Sequence, residues 1–315
     1  MQVARGLDEL TAPGPGAVVT IGAYDGVHLG HGAVLRLVRE LADARGMQAA
    51  CATFDRHPAE VVRPDSAPKP LTTLDQKLEL LAATGFLDAC LVIAFDEKRS
   101  QQRAEEFVHE VLVDGMDARL VVVGADFHFG HGRAGNVALL ERMGAELGFE
   151  VLGLGLVAID GAPSGTPYSS TEIRRLLAEG EVAAAARLLG RPHEVRGVVE
   201  PGDQRGGSLL GFPTANLAVP ERICLPADGV YTGSAVLPDG AERLAAISIG
   251  SRPTFYERGE RLLEAHVLDF DGDLYGADLK VRFREWLHAQ ERYDTVEALV
   301  EQLHADVAAT RRLAS

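Results

Sequence analysis

The sequence predicts two domains: an α/β domain on a doubly wound parallel sheet, then a small antiparallel β-barrel with a C-terminal helix. Three observations predict it. Apolar strand-like runs alternate with helical periodicities through roughly the first 185 residues. After Gly190-Arg191-Pro192 come short β-rich runs at close intervals, punctuated by Gly, Pro and Asp. One long amphipathic pattern ends the chain. A length of 315 residues also suits about two domains.

The first strand is Ala17–Ile21, an uninterrupted apolar run of the kind buried on both faces of a parallel sheet. Val34, Leu37, Val38 and Leu41 then recur at helical spacing between Gly32 and Arg45. Gln48–Phe54 is the second strand; it ends in Asp55-Arg56-His57-Pro58, ahead of a loop with Pro64, Pro68 and Pro70. Thr73 and Gln76 have capping-box spacing for a helix carrying Leu74, Leu78 and Leu81, stopped by Gly85. Leu87–Phe95 is a third strand, Gln101–Val113 a helix with Ser100 as its N-cap, and Ala118–Val123 a fourth strand. A helix begins near Asn136, and Glu150–Leu156 is a fifth strand. Ser169 and Glu172 have capping-box spacing and open another helix. The Ala-rich helix Val182–Leu189 leads to the boundary, so the domains are taken as 1–185 and 186–315. In the second domain, Glu194–Val199, Gly229–Leu237, Arg243–Ile249, Leu262–Phe270 and Asp278–Phe283 read as strands. Asp294 and Glu297 cap a tail helix whose Val296, Leu299, Val300, Leu303 and Val307 form one stripe, expected to pack on the barrel.

Composition narrows the function classes. A net charge of −15 argues against broad contact with nucleic acid or anionic membranes, while leaving room for a local basic pocket. There is no signal peptide and no apolar run of about 18 residues, so a soluble, cytoplasmic protein is expected; a homo-oligomer is left open. Cys51, Cys90 and Cys224 match no zinc or disulfide spacing. Cys51 and Cys90 lie in apolar runs and read as small core residues.

Ligands of doubly wound sheets sit at the carboxyl ends of the strands. Gly22–His31, Asp55–Pro58 and Gly124–Gly130 all fall there. In the first stretch Gly22 and Gly30 let the backbone approach a phosphate. Asp25 lies between them, and His28 and His31 stand where a helix N-terminus offers N–H groups. His128 and His131 repeat the same spacing. A metal reading of the pairs is disfavoured by their Gly-rich turns; loop-carbonyl satisfaction and phosphate contact stay open. Ser170 and Thr171, in the first turn of a helix with Arg174 one turn on, form a second anion site or an ordinary capped surface helix. Asp126, Phe127 and Phe129, with Tyr256, are candidates for contact with an aromatic ligand, and core packing explains the rings equally well. Between Gly202 and Asn216 four glycines, Gly211 among them, precede Pro213, Thr214 and Asn216. Thr214 and Asn216 supply the hard oxygen ligands that Mg²⁺ accepts beside ATP phosphates. A Gly-rich hairpin with a capping turn fits the spacing as well, and there is no Walker motif.

Taken together, these motifs resemble one family. Gly22-x-Tyr-Asp-Gly-x-His-x-Gly-His31 with Ser169-Ser-Thr-x-x-Arg174 looks like the nucleotidyltransferase domain of prokaryotic bifunctional riboflavin kinase/FAD synthetases. Thr53-Phe-Asp-x-His-Pro58, Leu71-Thr-Thr73 and Val123-Gly-x-Asp-Phe-x-Phe-Gly130 fit the same family. Gly211-Phe-Pro-Thr-Ala-Asn216, Pro226-Ala-Asp-Gly-Val-Tyr231, Ile249-Gly-x-x-Pro-Thr-Phe255 and Asp269-Phe-x-x-Asp-Leu-Tyr-Gly276 resemble its riboflavin kinase module. Two departures are Tyr24, where the family usually has Phe, and Arg56, where it usually has Pro. Neither removes a group the chemistry needs.

The resemblance implies a six-stranded barrel for the second module and two reactions: riboflavin and ATP give FMN and ADP, then FMN and ATP give FAD and pyrophosphate. It implies that His28, His31, Ser170, Thr171 and Arg174 hold ATP phosphates during AMP transfer, that Glu264 is the base for riboflavin phosphorylation, and that Mg²⁺ accompanies ATP. The division is physically sensible. The ribityl alcohol is neutral and gains from a general base. The FMN phosphate, with a second pKa near about 6, is already ionised and needs its repulsion from ATP offset. The alternatives are another adenylyltransferase of the same superfold, a kinase whose first domain is inactive, and a non-enzymatic flavin-binding regulator.

Overall fold

The computed structural model of the chain describes residues 1–10, 14–155, 168–201, 212–251 and 261–312. By contacts the chain divides into Met1–Ser170 and Thr171–Ser315.

The first unit is built on six strands: β1 (Gln2–Ala4), β2 (Ala17–Ile21), β3 (Gln48–Phe54), β4 (Ala89–Ile93), β5 (Ala118–Gly124) and, after the two-stranded ribbon β6 (His128–Phe129) and β7 (Gly135–Asn136), β8 (Glu150–Leu154). All six pair in parallel, in the order β1-β4-β3-β2-β5-β8. Every residue of β2 is buried, which is why its sequence shows no alternation. Its α-helices are α1 (Leu29–Arg45), α2 (Ala59–Val62), α3 (Leu74–Ala83), α4 (Glu97–Ser100), α5 (Ala104–Phe107), which continues as a π-helix over Val108–Gly115, and α6 (Val137–Leu147). Val19, Ile21, Ala52 and Leu91 face Phe107, Val111, Leu112 and Leu140 on one side. Tyr24, Cys51, Cys90 and Val92 meet Leu35, Leu78 and Leu81 on the other. From β2 the chain runs outward through β3 and β4, then returns to place β5 on the opposite flank of β2. The switch point therefore lies at the carboxyl end of β2, where Gly22–His31 begins.

Local boundaries differ from the sequence expectation. Helix α1 starts at Leu29 rather than Gly32, because His28 itself is the cap. Ser100 ends α4 instead of opening the next helix; the Asp96 carboxylate accepts the Arg99 N–H at 2.7 Å and starts α4. Strand β1 was not foreseen: it is a three-residue edge strand in which only Ala4 is buried.

The second unit contains α7 (Ser170–Ala178, whose first residue belongs to the first unit), α8 (Val182–Leu189), six strands and the tail helix α9 (Val296–Arg312). The strands are β9 (His193–Glu200), β10 (Ala215–Ala218), β11 (Gly229–Val236), β12 (Glu242–Ser251), β13 (Arg261–Val267) and β14 (Asp278–His288). They close an antiparallel barrel in the order β10-β13-β12-β11-β14-β9. Its interior holds Val195, Val199, Tyr231, Ile247, Ile249, Leu263, Ala265, Val281 and Phe283, all nearly inaccessible. No described helix is long and apolar enough to cross a membrane.

Helix α9 packs on β11 and β12 of the barrel as expected, with Leu299, Val300, Leu303 and Val307 half-buried. Val296 is 59% exposed, and the buried positions of the helix are Asp306 and Thr310. Its start is capped by Thr295, whose Oγ1 accepts the Ala298 N–H at 3.2 Å, rather than by Asp294. Asp306 is buried because it pairs with the barrel: its Oδ1 lies 2.9 Å from His288 Nε2, and Gln302 Nε2 donates to the same oxygen at 2.8 Å. Burial opposes a charged His288, but the Ala289 carbonyl and the Asp306 carboxylate outweigh it and raise the imidazole above its usual range. A raised folded-state pKa stabilises fully below the unfolded value of about 6.5 and is lost as pH climbs through the folded one. The thermal midpoint of this unit should therefore fall, by on the order of 2 °C, as pH rises across that window. In His288→Gln the fall should be absent; a wild-type midpoint flat over the window would contradict the pairing.

Candidate active sites

The first site grows from the turn between β2 and α1. His28 Nδ1 accepts the His31 N–H and His31 Nδ1 accepts the His28 N–H, each at 3.3 Å. The rings stack with centroids 3.6 Å apart. With both Nδ1 atoms accepting, each neutral ring carries its proton on Nε2. The mutual cap thus makes two Nε2–H donors at a helix N-terminus, where the dipole already favours anions. An added Cβ at Gly30 would lie 2.8 Å from Tyr168 Cβ and 3.2 Å from the His28 ring, so only glycine lets these segments meet. Tyr24 and Val27 have φ of 49° and 38°, a region costly for bulky and β-branched residues.

Asp25 is 7% exposed and anchors the turn. Its carboxylate accepts the N–H of Leu71 at 2.9 and 3.0 Å and that of Thr72 at 3.2 Å, tying the turn to the start of α3. Ser170 Oγ donates to the Asp25 carbonyl at 2.8 Å, which brings the end of the first unit to the same turn. Thr171 and Arg174 follow on α7 and are counted with the second unit. The two family departures are accommodated. The Tyr24 hydroxyl is 2.7 Å from Thr20 Oγ1, and burial pushes its phenol pKa up; Arg56 pairs with Asp55 at 3.1 Å.

The other loop at this edge divides. Phe129 is 8% exposed and packs near Phe107. Phe127 is half-buried and stacks on Phe129 at 5.4 Å. Asp126 is exposed, with its carbonyl 2.7 Å from His128 Nδ1. His131 Nδ1 lies 3.2 Å from the Ser100 carbonyl. This second histidine pair satisfies loop carbonyls, unlike the first. Among the described residues no group of three or more His, Cys, Asp or Glu could hold a metal ion.

The second site lies on the outer face of the barrel. Antiparallel register sets Glu200 opposite Asn216, Asn216 opposite Glu264, and Glu264 opposite Ser248. Directly opposed residues share a face, with Cβ atoms about 5 Å apart. The neighbours Ala215, Leu217, Leu263 and Ala265 point inward and are buried, so this row points outward. Thr214 joins the row by its period-two spacing from Asn216. The Glu264 carboxylate, the Asn216 amide and the Thr214 and Ser248 hydroxyls thus share one face, all half-buried, with Glu200 exposed at the end of the row. Gln290 Nε2 donates to Ser248 Oγ at 2.7 Å and fixes that hydroxyl. Beside the row, Phe212 meets His266 and His304 edge-on, and His266 Nδ1 lies 2.8 Å from the Pro213 carbonyl. Gly211 and Tyr256 lie outside the described residues.

Ser248, Gln290 and Lys77 were missed by sequence reasoning. The first two matter only through strand register, which no local pattern encodes. Lys77 carried a signal: it sits three residues after Leu74 and four before Leu81, on the apolar face of α3.

One site has paired ring nitrogens at a helix N-terminus and the other a carboxylate among polar neighbours, so the two units carry chemically different polar sites. Comparison with known proteins gives the particular case. The FAD synthetase family model matches residues 11–166 and the riboflavin kinase model residues 189–314. A bifunctional riboflavin kinase/FMN adenylyltransferase of Pseudomonas fluorescens is 39% identical over 100% of this chain and 98% of its own. Its counterpart in Escherichia coli K12 is 36% identical over 97% and 96%. A crystal structure described as a macrolide-efflux protein from Streptococcus pneumoniae superposes with a TM-score of 0.83 at 28% identity, covering 98% of both chains; that designation belongs to that protein. The chain belongs to the bifunctional riboflavin kinase/FMN adenylyltransferase family, and it phosphorylates riboflavin to FMN and adenylylates FMN to FAD.

Proposed function

We propose that the two reactions divide between the two sites described above. Adenylyl transfer takes place at the Gly22–His31 turn, within residues 1–185. Gly22 and Gly30 admit the ATP phosphates, the Nε2–H groups of His28 and His31 donate to them, and Ser170, Thr171 and Arg174 add hydroxyls and a guanidinium. Asp126, Phe127 and Phe129 are the flavin contacts of that loop. An ionised FMN phosphate oxygen attacks the α-phosphorus, the bond to the bridging oxygen breaks, and pyrophosphate leaves. No base is required; donors that offset repulsion between two anions are.

Riboflavin phosphorylation takes place at the outer-face row, within residues 186–315. Glu264 takes the proton of the ribityl alcohol as its oxygen bonds to the γ-phosphorus, and ADP leaves. Gly211, Thr214 and Asn216 approach the ATP phosphates. The Thr214 hydroxyl and Asn216 amide oxygen suit Mg²⁺, which takes one or two protein oxygens alongside phosphate and water. When bound with ATP, it neutralises charge on the transferring phosphoryl group. The observation that carries this division is the register that opposes Glu264 to Asn216, whereas the first site presents paired ring donors. Partners are read as the small molecules riboflavin, FMN and ATP, with no nucleic acid or membrane, in the cytoplasm.

Incubating the protein with riboflavin and ATP, with and without Mg²⁺, and separating the flavins tests this reading. FMN should appear first and FAD after it. Chelation by EDTA should stop FMN formation, and restored Mg²⁺ should revive it. FMN formation that ignores the chelator would remove Mg²⁺ from the scheme.

A further inference from the structure

Lys77 is a buried cation that neither reaction, as derived above, uses. It is 6% exposed, and its Nζ donates to the Phe54 carbonyl at 2.6 Å and the Ala23 carbonyl at 3.2 Å. These carbonyls stand at the carboxyl ends of β3 and β2, where the phosphate-facing turn leaves the sheet. The Ala23 carbonyl also accepts from Thr53 Oγ1 at 3.2 Å. One residue further, Asp25 holds the Leu71 and Thr72 amides, and Gly26 N–H donates to Thr72 Oγ1 at 3.3 Å. Helix α3 and the loop before it thus grip the strained turn at Ala23, Asp25 and Gly26.

An apolar residue would fill this space more cheaply if packing were the only need, since burying an ammonium is costly. Two features offset the cost. The carbonyls accept from it, and Asp25 and Asp55 supply negative charge, with the thiols of Cys51 and Cys90 as the other titratable neighbours. The site above must gather the phosphates of two anionic substrates. A buried Asp25 carboxylate beneath it, left alone, would repel both.

We propose that Lys77 is a positioning residue for adenylyl transfer: its ammonium clamps the ends of β2 and β3 so that the turn presents His28 and His31, and it cancels the Asp25 charge beneath the anion site. This rests on reading the Gly22–His31 turn as the adenylyl-transfer site. Burial also lowers the Lys77 pKa, so the clamp gives up its charge at a lower pH than an ordinary lysine would.

The test compares wild type, Lys77→Met and Lys77→Arg in the full-length protein. FAD formation from supplied FMN is followed from about pH 7 to about pH 10, with riboflavin phosphorylation on the same preparations as control. Lys77→Met should lower kcat/KM for FAD formation on the order of 100-fold and leave FMN formation unchanged. Lys77→Arg keeps a charge that does not titrate. It should recover part of the activity and abolish the alkaline loss of FAD formation expected of wild type. Near-wild-type FAD formation in Lys77→Met overturns the proposal, as does an alkaline loss unchanged in Lys77→Arg. Should thermal unfolding show that the Met variant does not fold, the Arg variant decides by the same alkaline limb. If a His31 variant forms FAD normally, the turn reading itself fails; with that variant inactive, the Lys77 results bear on Lys77 alone.

Discussion

Glu264→Gln is expected to lower FMN formation from riboflavin by about 10²- to 10⁴-fold, the usual worth of a positioned general base. FAD formation from supplied FMN should continue in the same preparation. Glutamine keeps the length of the side chain and its hydrogen-bonding oxygen but cannot accept a proton near neutral pH. The fold should tolerate it, since Glu264 faces outward and is half-buried, while the barrel is held by backbone register and by Leu263 and Ala265 inside. The pairing with Asn216 adds a second expectation. Because the neighbours orient the carboxylate, Asn216 variants should lose less rate than Glu264→Gln, through position and phosphate contact rather than through the proton. Separating FMN from FAD by chromatography after parallel incubations reads both activities at once. A Glu264→Gln enzyme that accumulates FMN at the wild-type rate would remove the base from the mechanism, and Ser248 and Gln290 would lose their claim to matter.

The sequence exposed what depends on burial pattern and local turns. Strands buried on both faces need apolar residues without alternation, and Ala17–Ile21 shows that. The barrel strands, with one face in and one out, were legible instead as short β-rich runs between frequent turns, except β10, four residues directly after a Gly-rich stretch. What stayed hidden depends on partners distant in sequence. The hold of Asp25 on the Leu71 and Thr72 amides, forty-six and forty-seven residues away, is invisible to local patterns. The packing of Phe129 near Phe107 joins a strand residue to a helix that the sequence does not pair with it. In α9 the apolar stripe was visible, yet the fully buried positions are Asp306 and Thr310, chosen by His288 on a strand that sequence patterns cannot pair with it. The start of α1 was missed because capping rules look for Ser, Thr, Asp or Asn, and here an imidazole does the work.

That unusual cap makes the second large effect separable from stability. His31 has two jobs: its Nδ1 caps the His28 N–H, and its Nε2–H is the donor assigned to phosphate. Alanine removes both, so a dead His31→Ala enzyme could merely have a frayed α1. Glutamate keeps the first job, since a Glu at this third helical position accepts the N-cap N–H in an ordinary capping box, and its charge suits the helix dipole. It abolishes the second and puts a negative charge where phosphates must approach. His31→Glu should therefore unfold at no lower temperature than His31→Ala, and by the capping scale about 1 kcal/mol more stably. FAD formation should nonetheless fall by at least about 10²- to 10³-fold, the range for losing one donor at an anionic transition state. Riboflavin phosphorylation should persist in both variants. The two readouts move in opposite directions only if the ring serves the phosphates. Restored FAD formation in His31→Glu, tracking restored stability, would reduce the histidine pair to a helix cap and move the anion site elsewhere on the strand ends.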